Sequence, residues 1–173
     1  AEGLLHRSQV KEEKVFITGA SGGVGSAAIQ LAKLRGATII AQCSSEKKDE
    51  VKKIGADQVI FRESNLIEEI GKNSVDVVID VVAGSNWKQL LDILKTGGRY
   101  ATSGAIAGPI VELDVRTLYL KDLTLYGCTH QPKEVFTNLI GYIERNEIRP
   151  LVEKTYPLQD IKKAQEDFLS KKY

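Results

Sequence analysis

The chain has 173 residues, enough for one domain with a core and short for two. Its 42% hydrophobic and 27% charged residues are those of an ordinary globular protein, and a net charge of +1 gives no electrostatic basis for a nucleic-acid or membrane partner. No apolar run can span a bilayer and no signal-peptide pattern is present.

Cys43, Cys128, His6 and His130 form no metal-ligand spacing, so no metal site is expected. The cysteines read as reduced thiols of a cytoplasmic protein, with a disulfide left open. The chain lacks methionine and opens on Ala1-Glu2-Gly3-Leu4-Leu5, which reads as a helix already under way. A fragment or excised domain is the expectation.

Lys14 to Thr18 is a short apolar strand that ends at glycines. Gly23 to Leu34 follows as a helix, with Val24, Ala27, Ala28, Leu31 and Leu34 on one face and Gly36 as its stop. Thr38 to Ala41 is the second strand. Ser44 or Ser45 caps a helix running to about Ile54, stopped by Gly55. Gln58 to Phe61 is a third strand and Asn65 to Ile70 a short helix.

Asp76 to Val82 is nearly all apolar, as a strand buried on both faces should be. Asn86 to Leu94 is helical, and Gly97-Gly98 leads into a fifth strand, Arg99 to Ser103. A helical turn near Asp114 to Leu120 precedes the sixth strand, Leu123 to Tyr126. Lys133 to Arg145 is a helix, Val152 to Tyr156 is extended, and Leu158 to Leu169 is a last helix. Strands alternating with helices predict an α/β fold: a Rossmann-type doubly wound six-stranded parallel sheet with helices on both faces. Ligands of such sheets lie at the carboxyl ends of the strands.

Thr18-Gly19-Ala20-Ser21-Gly22-Gly23-Val24-Gly25 joins the first strand to the first long helix. Glycines there let the backbone approach a phosphate, and the helix start offers free amides and partial positive charge. Ser21 adds a hydroxyl, and Gly25 brings helix and strand together. The string also fits the short-chain dehydrogenase pattern, which needs a later Tyr-x-x-x-Lys. Tyr100, Tyr119, Tyr126, Tyr142 and Tyr156 are followed at that place by Gly104, Leu123, His130, Asn146 and Asp160, and Tyr173 ends the chain. That family is excluded.

GASGGVGSAAIQLAK, GADQVI, DVVIDVVAG, LKTGGRYATSGA, LKDLTLYG and RPLVEKTYPLQDIKKAQ occur in this order. Together they resemble the cofactor domain of the medium-chain dehydrogenase/reductases, the superfamily of alcohol dehydrogenases and quinone oxidoreductases. Ala20 in place of the usual first glycine is most similar to the quinone oxidoreductase branch. The resemblance implies that residues 1–173 are one dinucleotide-binding domain. It also implies a GroES-like N-terminal domain, absent here, that holds much of the substrate pocket and any catalytic zinc. The family's closing Gly-Lys strand is likewise absent after Tyr173.

In NAD enzymes an acid about twenty residues past the glycines holds the adenosine ribose. Cys43 stands there instead, followed by Ser44-Ser45-Glu46-Lys47-Lys48. A hydroxyl and a lysine suit a 2′-phosphate, which an acid would repel. By resemblance the family lysine falls at Lys47 or Lys48, and the family tyrosine position at Arg62. Ser44 also suits a cap and the lysines a solvated face, but the missing acid favours NADPH over NADH. The resemblance further places Val82, Ala83 and Gly84, then Ser103, Gly104 and Ala105, around the nicotinamide and its ribose.

No catalytic group is expected. Asp80 reads as structural, and the histidines lack relay partners. The expected function is the NADPH-binding domain of an oxidoreductase passing hydride to quinones, enones or related activated carbonyl compounds. The alternatives are the cofactor domain of a zinc-dependent alcohol dehydrogenase and a non-catalytic NADPH-binding or sensing protein. The chain alone should bind cofactor and turn over little substrate. The family's oligomers imply a homodimer paired through Leu123 to Tyr126, with a solvated edge as the other outcome.

Overall fold

In the computed structural model, which describes residues 1–170, six strands form one parallel sheet. They are β1 (Lys14–Ile17), β2 (Thr38–Cys43), β3 (Gln58–Phe61), β4 (Val75–Asp80), β5 (Leu94–Thr102) and β6 (Thr124–Gly127). The order is β3-β2-β1-β4-β5-β6, with every pair parallel. This is the predicted doubly wound sheet, whose strand order reverses between β1 and β4. Tyr173 and the segment after Ser170 lie outside the described residues.

The helices are α1 (Glu2–Arg7), α2 (Gly23–Leu34), α3 (Lys48–Ile54), α4 (Leu66–Ile70), α5 (Trp87–Ile93), α6 (Val115–Leu120), α7 (Lys133–Glu144) and α8 (Ile161–Ser170). They make two core layers. Val15, Ile17, Val77 and Ile79 pack with α1 and α2, whereas Phe16, Val78 and Tyr100 pack with α4 and α5. Alternate residues of one strand thus enter opposite layers, which is why DVVID carries no polar alternation before its final aspartate.

Several boundaries differ from the sequence expectation. The inward side of α2 is Gly25, Ala28, Ile29, Leu31 and Ala32, while Val24 and Leu34 are 43% and 40% exposed. The helix is rotated so that Gly25 meets the strand, and a periodicity rich in alanine on all sides cannot signal that rotation. β4 ends at Asp80, so Val82 and Ala83 lie beyond the strand. Ser44 makes no side-chain cap bond; a 3-10 turn, Ser45–Lys47, intervenes before α3. Val152 to Tyr156 pairs with no strand among the described residues. It is tied to α8 by Asp167, which accepts from Tyr156 Oη at 2.5 Å and pairs with Lys154 at 2.9 Å. Cys43 and Cys128 are free and buried.

Two aspartates stitch strand starts. Asp76 accepts from Lys14 N at 2.9 Å and pairs with Lys95; Asp57 accepts from Ile39 N at 2.7 Å and pairs with Lys33. Partial burial pushes both carboxyls up, but these hydrogen bonds and lysines outweigh it and hold both below the ordinary range. A depressed native pKa adds stability that is present above the unfolded value and lost as pH falls through the native one. Urea midpoints are therefore expected to hold at neutral pH and fall from about pH 4 downward, less steeply in Asp76→Asn. A midpoint flat to about pH 3 contradicts this.

Candidate cofactor site

β1 ends against a turn that only glycines can make. Gly19 has φ +58, and a Cβ there would lie 2.9 Å from Val81 Cγ2. A Cβ on Gly25 would lie 2.1 Å from Gly19 O and 2.8 Å from Ala20 Cα, so α2 sits directly on the strand end. Gly22 N donates to Gly19 O at 3.0 Å, and Ala20 N to Gln42 O at 3.0 Å, which fixes the loop against β2. Ser21, Gly22, Gly23 and Val24 are exposed, and a Cβ on Gly23 would meet nothing within 4 Å.

Ser26 N is the first amide of α2 to find a carbonyl one turn back, at Gly22 O. The amides before it have no intrahelical acceptor. They add to the dipole of a twelve-residue helix, so the open shelf over Gly22 and Gly23 suits a diphosphate. This fit is one of backbone shape: the shelf is vacant where a side chain would block it, and closed where α2 must touch β1.

Across the switch point, Asp80 is fully buried and accepts four hydrogen bonds. Thr18 Oγ1 donates to Oδ1 at 2.6 Å, Val82 N at 2.9 Å and Ala83 N at 3.0 Å, while Tyr100 Oη donates to Oδ2. Thr18 Oγ1 in turn accepts from Val81 N at 3.0 Å. Burial and the Asp80 charge push the Tyr100 phenol far up, so it remains a donor. The hub holds Ala83 at φ 57, ψ −149, a conformation otherwise almost restricted to glycine.

The next loop is stitched to the same strand end. Ser103 N donates to Asp80 O at 3.3 Å and Ala107 N to Val82 O at 2.9 Å. A Cβ on Gly104 would lie 2.6 Å from Val81 O, so the two loops touch. Val82, Ala83, Ser103, Gly104 and Ala105 are thereby brought to one wall. A cavity of about 280 Å³ beside it is lined by Ala83, Trp87, Tyr100, Gly104, Pro109 and Leu125. A second, of about 620 Å³, lies between α5 and residues 107–114.

The end of β2 completes the crevice. Cys43 is buried, and burial pushes its thiol up against the opposing pull of the Arg62 charge. Arg62 N donates to Cys43 O at 3.0 Å, and Arg62 is exposed. Ser44 is half-buried, Lys47 pairs with Glu50 at 3.0 Å, and the Lys48 ammonium lies 5.8 Å from the Phe61 ring centre. Sequence reasoning does not link Asp80 to Thr18 and Tyr100, nor does it single out Gln42. The available signal is a polar residue closing each of three apolar strands on the same face. Among the described residues no group of three or more His, Cys, Asp or Glu could hold a metal, and no helix is long and apolar enough to cross a membrane.

Residues 23–145 match the family model described as zinc-binding dehydrogenase. Quinone oxidoreductase of Rattus norvegicus is 31% identical over 179 residues, covering 96% of this chain and 54% of that protein. Acryloyl-coenzyme A reductase of Metallosphaera sedula is 34% identical over 165 residues, covering 94% and 49%. A solved structure from Sinorhizobium meliloti 1021, assigned as an alcohol dehydrogenase, superposes with a TM-score of 0.90 at 45% identity, covering 99% and 49%. The chain spans about half the length of the curated relatives it matches. With its reversing six-stranded sheet and glycine turn, the chain belongs to the zinc-binding dehydrogenase family, as the cofactor-binding fold of the medium-chain dehydrogenase/reductases, quinone oxidoreductase-like.

Proposed function

We propose that the chain is the NADPH-binding domain of an oxidoreductase that transfers hydride to quinones, enones or related activated carbonyl compounds. The observation that carries this reading is the shelf at Ser21 to Gly25, open over Gly23 and closed under Gly25. Its α2 amides would hold the diphosphate. The wall of Val82, Ala83, Ser103, Gly104 and Ala105 would flank the nicotinamide end. When bound, the cofactor supplies the hydride; the chain's own residues bind it, orient it and exclude water from one side.

Preference for NADPH rests on the end of β2. Cys43 presents no carboxylate, and the Arg62 cation lies beside it. Ser44, Lys47 and Lys48 complete a candidate 2′-phosphate site, with Lys47 exchanging Glu50 for phosphate. The curated relatives are about twice as long as this chain, which leaves room for a GroES-like N-terminal domain that would supply the rest of the substrate cleft. β6 is the sheet's edge strand, which supports homodimer pairing there.

Titration of the chain is expected to give tighter binding of NADPH than NADH. Arg62→Ala should weaken NADPH roughly tenfold and leave NADH nearly unchanged, the weight of one charged phosphate contact. Lys47→Ala and Lys48→Ala, made separately, should show which lysine reaches the phosphate. Tighter NADH binding overturns the preference. Robust quinone reduction by this chain alone would show that its substrate site is already complete.

A further inference from the structure

The register continues one residue past β1. Ile17 pairs with Ala41 on one side and Ile79 on the other, so Gln42, Thr18 and Asp80 form the next row across β2, β1 and β4. Asp80 pairs onward with Thr102 of β5. Strand alternation puts all four on the face of Phe16, Ile40 and Val78, above the layer packed by α4 and α5. This polar row closes that core at the carboxyl end of the sheet.

Two neighbouring members satisfy each other: Thr18 donates to Asp80. Gln42 differs. It is 5% exposed, and its amide nitrogen is buried with no hydrogen-bond partner among the described residues. An unpaired buried amide is costly, so its retention asks for a partner. Gln42 O accepts from Ala20 N of the glycine turn, and its neighbour Cys43 ends the strand beside Arg62. By its main chain, Gln42 therefore lies between the diphosphate shelf and the candidate 2′-phosphate site, where the adenosine of the proposed cofactor would pass.

We infer that the Gln42 carboxamide is a specificity contact for that adenosine, donating to an acceptor nitrogen of the base or to a ribose oxygen. The inference rests on the cofactor reading above and adds a residue to it. It explains why a strand of isoleucines and alanine carries an amide at its buried end. The donor is held ready at the cost of the free protein's stability, a common feature of binding sites.

The test uses Gln42→Met, which keeps length and volume and removes the amide. Calorimetric titration with adenosine 2′,5′-bisphosphate is expected to show binding weakened roughly tenfold, the loss of one hydrogen bond. Titration with reduced nicotinamide mononucleotide should be unchanged. The melting temperature of the free protein should be equal to the parent's or higher, because an orphaned donor has been removed. A residue with a merely structural role would lower it. Gln42→Glu, the second variant, should bind adenosine 2′,5′-bisphosphate more weakly still, since a carboxylate cannot donate to an acceptor of the base or ribose. Adenosine binding within twofold of the parent in Gln42→Met, or a parallel fall in melting temperature of several degrees, overturns the inference. Failure of the parent chain to bind either adenosine 2′,5′-bisphosphate or NADPH would instead overturn the cofactor reading on which it rests.

Discussion

Gly25→Ala is expected to abolish cofactor binding and to cost about 2–4 kcal/mol of stability, the range of a severe steric substitution. The new Cβ would lie 2.1 Å from Gly19 O and 2.7 Å from Gly19 C. Both atoms are backbone, so no side chain can turn aside. Either α2 moves off β1 by more than an ångström or the glycine turn deforms. The first opens the core over Ala28, Ile29 and Ala32, and the second destroys the shelf. Gly23→Ala is the matched control. Its Cβ meets no protein atom within 4 Å, so the melting temperature should stay near the parent's. Binding should still weaken, because the methyl group occupies the space proposed for phosphate. Thermal denaturation and NADPH titration of the two variants separate fold from ligand. If Gly23→Ala binds like the parent, the diphosphate does not lie on this shelf.

Asp80→Ala is expected to destabilise the protein by roughly 3–5 kcal/mol, measured by urea denaturation. It removes the acceptor of four hydrogen bonds, leaving Thr18 Oγ1, Tyr100 Oη and the Val82 and Ala83 amides buried or half-buried without it. Hydrogen bonds to a charged group are worth about 1.5–3 kcal/mol each, and relaxation recovers part of the sum. Tyr100→Phe removes one of the four and should cost about 1–2 kcal/mol. The larger variant should also weaken NADPH, because Asp80 holds Ala83 in its glycine-like conformation. Equal stability of Asp80→Ala and parent would show that the hub is solvated rather than closed.

Much of the architecture is legible in local patterns. The limits of α2 and β3 fall where periodicity, glycine stops and short apolar runs put them. Glycine spacing is equally readable, since the turn between β1 and α2 tolerates no Cβ at Gly25 whatever surrounds it. The inward face of α2 is not legible: Val24 and Leu34 are apolar, yet the close approach at Gly25 turns them outward. The predicted strand through Val82 is shortened for a similar reason. Thr18 Oγ1 captures the Val81 amide and Asp80 those of Val82 and Ala83, which ends the ladder.

Chain order, helix and strand type, the glycine turn and the missing acid at Cys43 all follow from residues within a few places of one another. Local sterics and short hydrogen bonds govern such features, and they need no partner from afar. The Thr18–Asp80–Tyr100 hub, the seam between Gly104 and Val81, and the position of Gln42 join residues tens of places apart. Strand register alone brings them together. Register is set when both core layers pack at once, and no window of sequence contains that information.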